Sequence, residues 1–196
     1  MNTAVSQDPV AVLDNVGPCD HVMHIYENDG VFLDTLEGFV SGGLRGGETV
    51  VVIATSPHLY ALEYRLKARD HDIDALRQTR HYIAMDAAEA LSRFMVDGQP
   101  DDALFHASIA TVIDQAQQGG QRVRAFGEMV ALLWANGMHA GTVRLEQLWN
   151  TLCRDKGLSL FCAYPRSGSV QDSIESMAEI RALHSHVVAT GNNVRG

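Results

Sequence analysis

Apolar residues follow two alternating rhythms along this chain, short continuous runs and stripes spaced by three and four, and that alternation predicts an α/β domain. Thr49 to Thr55 is nearly all apolar and β-branched, as a strand covered on both faces should be. Val22 to Glu27, His81 to Met85, Arg122 to Phe126 and Leu158 to Tyr164 read as four more strands. Helical stripes lie between them. Phe32, Leu33, Leu36, Phe39 and Val40 mark a helix over roughly 30–41, capped by Asn28 or Asp29 and stopped by Gly42-Gly43. Ser56-Pro57 supplies an N-cap followed by a first-turn proline, and Leu59, Leu62 and Leu66 turn inward before the helix ends near Arg69. Asp86 and Glu89 form a capping box for a helix from Ala87 to Met95. Further helices are predicted over 102–118, 130–135, 141–156 and 170–184, with Gly157 ending the third.

Strands alternating with helices predict a three-layer α/β fold: a mainly parallel five-stranded sheet, flanked by helices and joined by right-handed crossovers. Residues 1–17 show no sustained periodicity and are expected to form a flexible arm. Residues 18–188 form the domain and 189–196 a flexible tail. A chain of 196 residues suits one such core. Its 24 Asp and Glu against 15 Lys and Arg argue against a direct nucleic-acid partner, which needs a basic face. Cys19, Cys153 and Cys162 form no C-x-x-C pair, and no apolar leader or membrane-length run is seen. Those features predict a cytoplasmic protein with reduced thiols and no membrane contact.

Chemistry in a parallel sheet gathers at the carboxyl ends of the strands. Those ends carry Tyr26 and Glu27, then Thr55, Ser56 and His58, then Asp86, Glu128, and Tyr164 with Arg166. His24 and Trp134 complete the candidate ligand-binding set; an aromatic wall beside a few polar groups is typical of a pocket. After the strand at 49–55 the chain reads Ser56-Pro57-His58-Leu59-Tyr60-Ala61, with no glycine and no lysine before Lys67. A phosphate cradle needs both, so binding without hydrolysis is expected, with no catalytic residue, metal or cofactor. The alternative is a nucleotide-binding protein or hydrolase using Glu128 and Asp86, although helix capping also explains each acid. Strand alternation sends His21 and His24 to opposite faces. No second tight Cys/His cluster completes a tetrahedral site, so both read as structural histidines.

Several runs resemble the MEDS domain, the methanogen/methylotroph sensory domain. They are His21–Asn28, Gly43–Glu48, His81–Ala87, Phe94–Gly98, Arg124–Val130, Leu145–Asn150, Cys162–Pro165 and His184–Val187, in order across roughly 19–188. The resemblance implies a RecA/KaiC-like core without a phosphate loop. It also implies a sensory role, since the family is associated with small hydrocarbon-derived signals in a regulator of dichloromethane use. Such domains often precede histidine-kinase or other output modules. Here nothing follows the domain, so a stand-alone sensor is expected to regulate a protein partner such as a sensor histidine kinase, with a homo-oligomer or a ligand-free interaction adaptor as alternatives.

Overall fold

Both faces of the central strands find cover, so their apolar runs stay extended and pair edge to edge. The computed structural model describes residues 5–6, 13, 16–166 and 171–189. In chain order the strands are β1 (Val5–Ser6), β2 (His21–Tyr26), β3 (Thr49–Ala54), β4 (Tyr82–Asp86), β5 (Met95–Val96), β6 (Gln99–Pro100), β7 (Val123–Gly127), β8 (Ser159–Pro165) and β9 (His186–Ala189). The main sheet runs β1-β9-β2-β8-β7-β3-β4, every pairing parallel, while β5 and β6 form a small antiparallel hairpin.

All five predicted strands are present, but the sheet is wider than five. β9, within and just beyond the predicted domain end, adds to the outer edge of β2, and β1 adds to β9. Leu13 and Val16, in the segment expected to lie loose, are buried against the core. Arg124 and Arg122 fasten that segment by donating to the carbonyls of Leu13 and Val16.

Side-chain alternation divides the core in two. Val22, Tyr26, Val50, Val52, Phe126 and Phe161 face α1 (Asp29–Arg45), α2 (Ser56–Lys67) and α3 (Ile73–Gln78). Met23, Ile25, Val51, Ile53, Cys162 and Tyr164 face the opposite layer. That layer holds α4 (Ala87–Ser92), α5 (Asp102–Phe105), α6 (Thr111–Ala116), α7 (Met129–Ala135), α8 (His139–Lys156) and α9 (Gln171–Leu183). A π-helical turn, His106–Ala110, joins α5 to α6. Among the described residues no helix is long and apolar enough to cross a membrane.

Two punctuation marks behave differently from each other. Gly157 ends α8 at φ 65, the left-handed cap expected of it. Gly42-Gly43, expected to stop α1, instead lies inside it, and the helix runs on to Arg45. A Cβ on Gly43 would come within 2.9 Å of Arg124 Cδ and 3.0 Å of Val50 Cγ2, so close packing, not helix termination, explains the glycine. The Arg124 guanidinium lying there is itself buried and paired with Glu48.

Candidate functional site

The β3–α2 turn is held from across the sheet by Glu128. This residue follows β7, and its backbone N–H donates to Ile53 O at 2.8 Å. Its carboxylate reaches over to accept from Thr55 N at 2.7 Å and from Thr55 Oγ1 at 3.4 Å, and meets His58 Nδ1 at 2.7 Å. Only 6% of Glu128 is exposed, and its side chain makes no capping bond to α7. Capping therefore does not explain this residue; it latches two strand ends together. The hydrogen bond to Glu128 raises the His58 pKa despite partial burial, so the imidazole tends toward the charged form. Phe32 packs edge-on to His58 at 4.9 Å and stacks on Tyr26 at 4.9 Å. Burial, then the nearby charges of Glu128 and Asp29, push the Tyr26 hydroxyl up to about 12.

Ser56 departs from its expected role. Thr55 occupies the N-cap position of α2, and Ser56 Oγ instead donates to Asp86 Oδ2 at 2.6 Å. Asp86 caps α4 as expected, accepting from the N–H groups of Ala88 and Glu89 at 2.9 and 3.0 Å. The Ser56 hydroxyl and then these N–H donors hold its carboxyl below the usual range.

Trp134 and Tyr164 lie on the other side of the sheet. They line a cavity of about 560 Å³ with Ile25, Met177, Arg166 and Arg181, among others, at the carboxyl ends of β2, β8 and β9. Their rings meet edge to face at 6.0 Å, and Trp134 also packs on His139 at 4.4 Å. Arg166 Nη1 lies 3.6 Å from Glu27 Oε1 beside this end of the sheet. The predicted site residues thus form no single pocket. Tyr26, Thr55, His58 and Glu128 gather on one face, Trp134 and Tyr164 on the other, and Asp86 caps its own helix. His24 shares the face of Tyr26 but is fully buried, with the Tyr26 and Phe161 rings near it, and burial lowers its pKa to about 4.

Beneath Tyr164 is a polar cluster that the sequence reading missed. Glu146 on α8 is completely buried. Its Oε1 accepts from the Tyr164 hydroxyl. Its Oε2 lies 3.3 Å from His21 Nε2, 3.6 Å from Cys162 Sγ and 3.7 Å from His184 Nε2. His21 Nε2 and Cys162 Sγ are 3.4 Å apart, and the two imidazoles meet at a tilt of 34° with centroids 3.8 Å apart. His184 Nδ1 is 2.7 Å from Ile180 O, so the ring proton belongs on Nδ1. Its buried Nε2 makes no hydrogen bond, and neither does His21 Nδ1.

Charge in this cluster is not reconciled by its own members. Burial would raise Glu146, but His184, His21 and the Tyr164 hydroxyl outweigh it and bring its carboxyl to about 2. Burial, followed by His21, meanwhile lowers His184 to about 4, which keeps it neutral near pH 7 and removes the positive neighbour that Glu146 draws on. The Nδ1–H bond to Ile180 O by itself favours the charged ring, but burial outweighs it, and the neutral ring turns its Nε2 lone pair toward a carboxylate oxygen. Burial and then Glu146 push the Cys162 thiol well up. One sequence signal pointed here: Glu146 interrupts the buried stripe of Thr142, Leu145, Trp149 and Cys153 on α8.

Comparison with known proteins agrees with this architecture. The sequence matches the MEDS family, the methanogen/methylotroph, DcmR sensory domain, over residues 20–185. Comparison with curated protein sequences gave no match. Among solved structures, a KaiC-like protein from the hyperthermophilic archaeon Pyrococcus horikoshii is similar at a TM-score of 0.62 and 12% identity, covering 98% of this chain and 85% of that one. The flagellar accessory protein FlaH of Methanocaldococcus jannaschii gives 0.54 at 9% identity, covering 99% and 81%. An ATPase from the type III secretion system of pathogenic bacteria gives 0.55 at 11%, covering 94% and 55%. These likenesses establish a shared RecA/KaiC-like fold.

Proposed function

The chain belongs to the MEDS family of sensory domains, and from that premise we propose that it binds a small organic signal in the cavity beside Trp134 and Tyr164 and regulates a protein partner. The cavity is the observation that carries the reading. Its volume is in the range of small-molecule sites, its walls combine aromatic and aliphatic side chains, and Arg166 and Arg181 add cationic groups. A small apolar or weakly acidic molecule suits that lining.

Transmission follows from what α7 connects. Trp134 lies near its C-terminal end and Glu128 immediately precedes it. A ligand that displaces Trp134 shifts α7 and with it the carboxylate that holds Thr55 and His58. The start of α2 then moves, and α2 carries Tyr60 and Tyr64 on its outer face, 77% and 71% exposed. This pair is the surface we assign to the partner, a sensor histidine kinase being the kind the family suggests. A ligand favours one state only if it binds that state better, so the latched and released forms must differ in cavity shape.

Binding without turnover fits the local chemistry. The chain contains no Gly-Lys-Ser/Thr sequence, and both candidate acids are engaged, Glu128 by Thr55 and His58 and Asp86 by Ser56 and its helix N-terminus. Native mass spectrometry of protein purified without denaturation tests the reading. A co-purified organic molecule is expected, and Ala178→Trp, which fills the cavity from α9, should expel it. Retention of the same molecule by a folded Ala178→Trp variant would place the site elsewhere.

A further inference from the structure

We propose that His21, Glu146, Cys162 and His184 bind one divalent transition-metal ion of the zinc class, in a closed structural site rather than a catalytic one. The four donor atoms lie within 4.8 Å of one another, brought together from β2, α8, β8 and the turn after α9. A tetrahedral zinc with its usual bond lengths of about 2.0–2.3 Å places its donors about 3.3–3.6 Å apart. Four of the six pairwise spacings are 3.3, 3.4, 3.6 and 3.7 Å and the other two do not exceed 4.8 Å, so a modest contraction closes the group around an ion.

Three further features suit a metal better than a hydrogen-bond network. First, the three other donors all face Oε2 of Glu146, while Oε1 is held by the Tyr164 hydroxyl, which fixes the carboxylate's orientation from outside. Second, His184 has its Nδ1 anchored on Ile180 O and its Nε2 aimed into the cluster, fully buried, with no hydrogen bond. That is how a ligating imidazole is set by its outer-shell partner. Third, one carboxylate and one thiolate balance a 2+ ion, leaving a buried site with no net charge. The mixed N₂SO donor set favours zinc, with cobalt as its spectroscopic substitute. Uptake breaks the Cys162 S–H bond and forms a metal–sulfur bond; the proton leaves to solvent, and no electron is transferred. With four protein donors and complete burial, no position is left open to a substrate.

The site touches the signal cavity only through Tyr164, and its test uses a different readout, so either proposal can fail alone. Tag-free full-length protein, stripped with chelator and checked for folding by circular dichroism, is titrated with Co²⁺ and then Zn²⁺. We expect one ion per chain, a thiolate-to-cobalt charge-transfer band with tetrahedral visible bands, and displacement of cobalt by zinc. Cys162→Ala should abolish the charge-transfer band, His184→Gln should weaken binding by more than the roughly 10- to 100-fold typical of losing an outer-shell partner, and Cys19→Ser should leave both intact. A folded wild-type chain that shows no thiolate band overturns the site, even if a variant fails to fold. So does a Cys162→Ala protein that keeps the band, since the sulfur would then come from another residue.

Discussion

Glu128 and Glu146 are both buried carboxylates beside histidine, yet their surroundings differ in kind. Glu128 is satisfied by a backbone N–H, a hydroxyl and the His58 ring, and the bond raises the pKa of that histidine. Glu146 sits deeper, against two imidazoles and a thiol, and burial there lowers His184 to about 4. The same pair of residue types gives a latch near the surface and an incompletely satisfied cluster in the core. The difference lies in solvent. A partly hydrated imidazole can take up a proton to meet its carboxylate, whereas a fully buried one pays the desolvation cost and stays neutral.

The largest expected effect breaks the contrast at its deeper end. Glu146→Gln keeps one acceptor oxygen for Tyr164 but puts an amide NH2 where Oε2 faces His21 and Cys162, removing the charge and leaving those buried groups without their acceptor. It should cost about 3–5 kcal/mol of stability, read from denaturant midpoints. An unchanged midpoint would show that the cluster is no more demanding than the latch.

Next comes acid. Folded His24 has a pKa of about 4 against 6.5 unperturbed, so its contribution is complete above 6.5 and is lost as pH falls toward 4. Between pH ~7.5 and ~4.5 this one residue should account for about 2–3 kcal/mol of lost stability. His58 has the opposite sign. Its raised pKa gives stability that is present below 6.5 and lost as pH rises through the folded value. His24→Leu should make the acid limb shallower, with His184 still contributing to it, and His58→Gln should flatten the alkaline limb alone; the reverse assignment would refute the contrast.

A smaller effect is expected at the latch. Glu128→Gln keeps the shape but loses charge-assisted bonds to Thr55 and His58, at about 1–2 kcal/mol, and should uncouple the ligand from the partner. Normal ligand-dependent regulation in this variant would remove Glu128 from the transmission route. Ser56→Ala is the smallest change. It deletes one exposed bond to Asp86, costs about 0.5 kcal/mol, and should leave partner regulation intact. A loss of regulation there would move the switch from Glu128 to the Ser56–Asp86 contact.

Local chemistry made much of the fold legible. Asp86 was readable as a cap because its partners lie two and three residues away, and Gly157 because a left-handed helix end favours glycine. The run at 49–54 declared a strand buried on both faces. Gly43 misled because its reason, the Arg124 side chain, lies on β7. The strand at 186–189 went unread because four residues carry too little periodicity to show that an edge awaits them beside β2.

The sequence by itself determined the α/β class, five of the seven strands of the main sheet, the starts of α1 and α4 and the opposite facing of His21 and His24, because each rests on rules that act within a helical turn or a strand pleat. Tertiary structure alone decided which acids met which bases. Thr55 and Glu128 are 73 residues apart, and His21 and Cys162 are 141 apart. Only the order β9-β2-β8-β7-β3 and its register bring them within bonding distance. Strand order is set by how the whole apolar surface is buried, a property of all the elements together, so no local spacing announced the latch or the cluster.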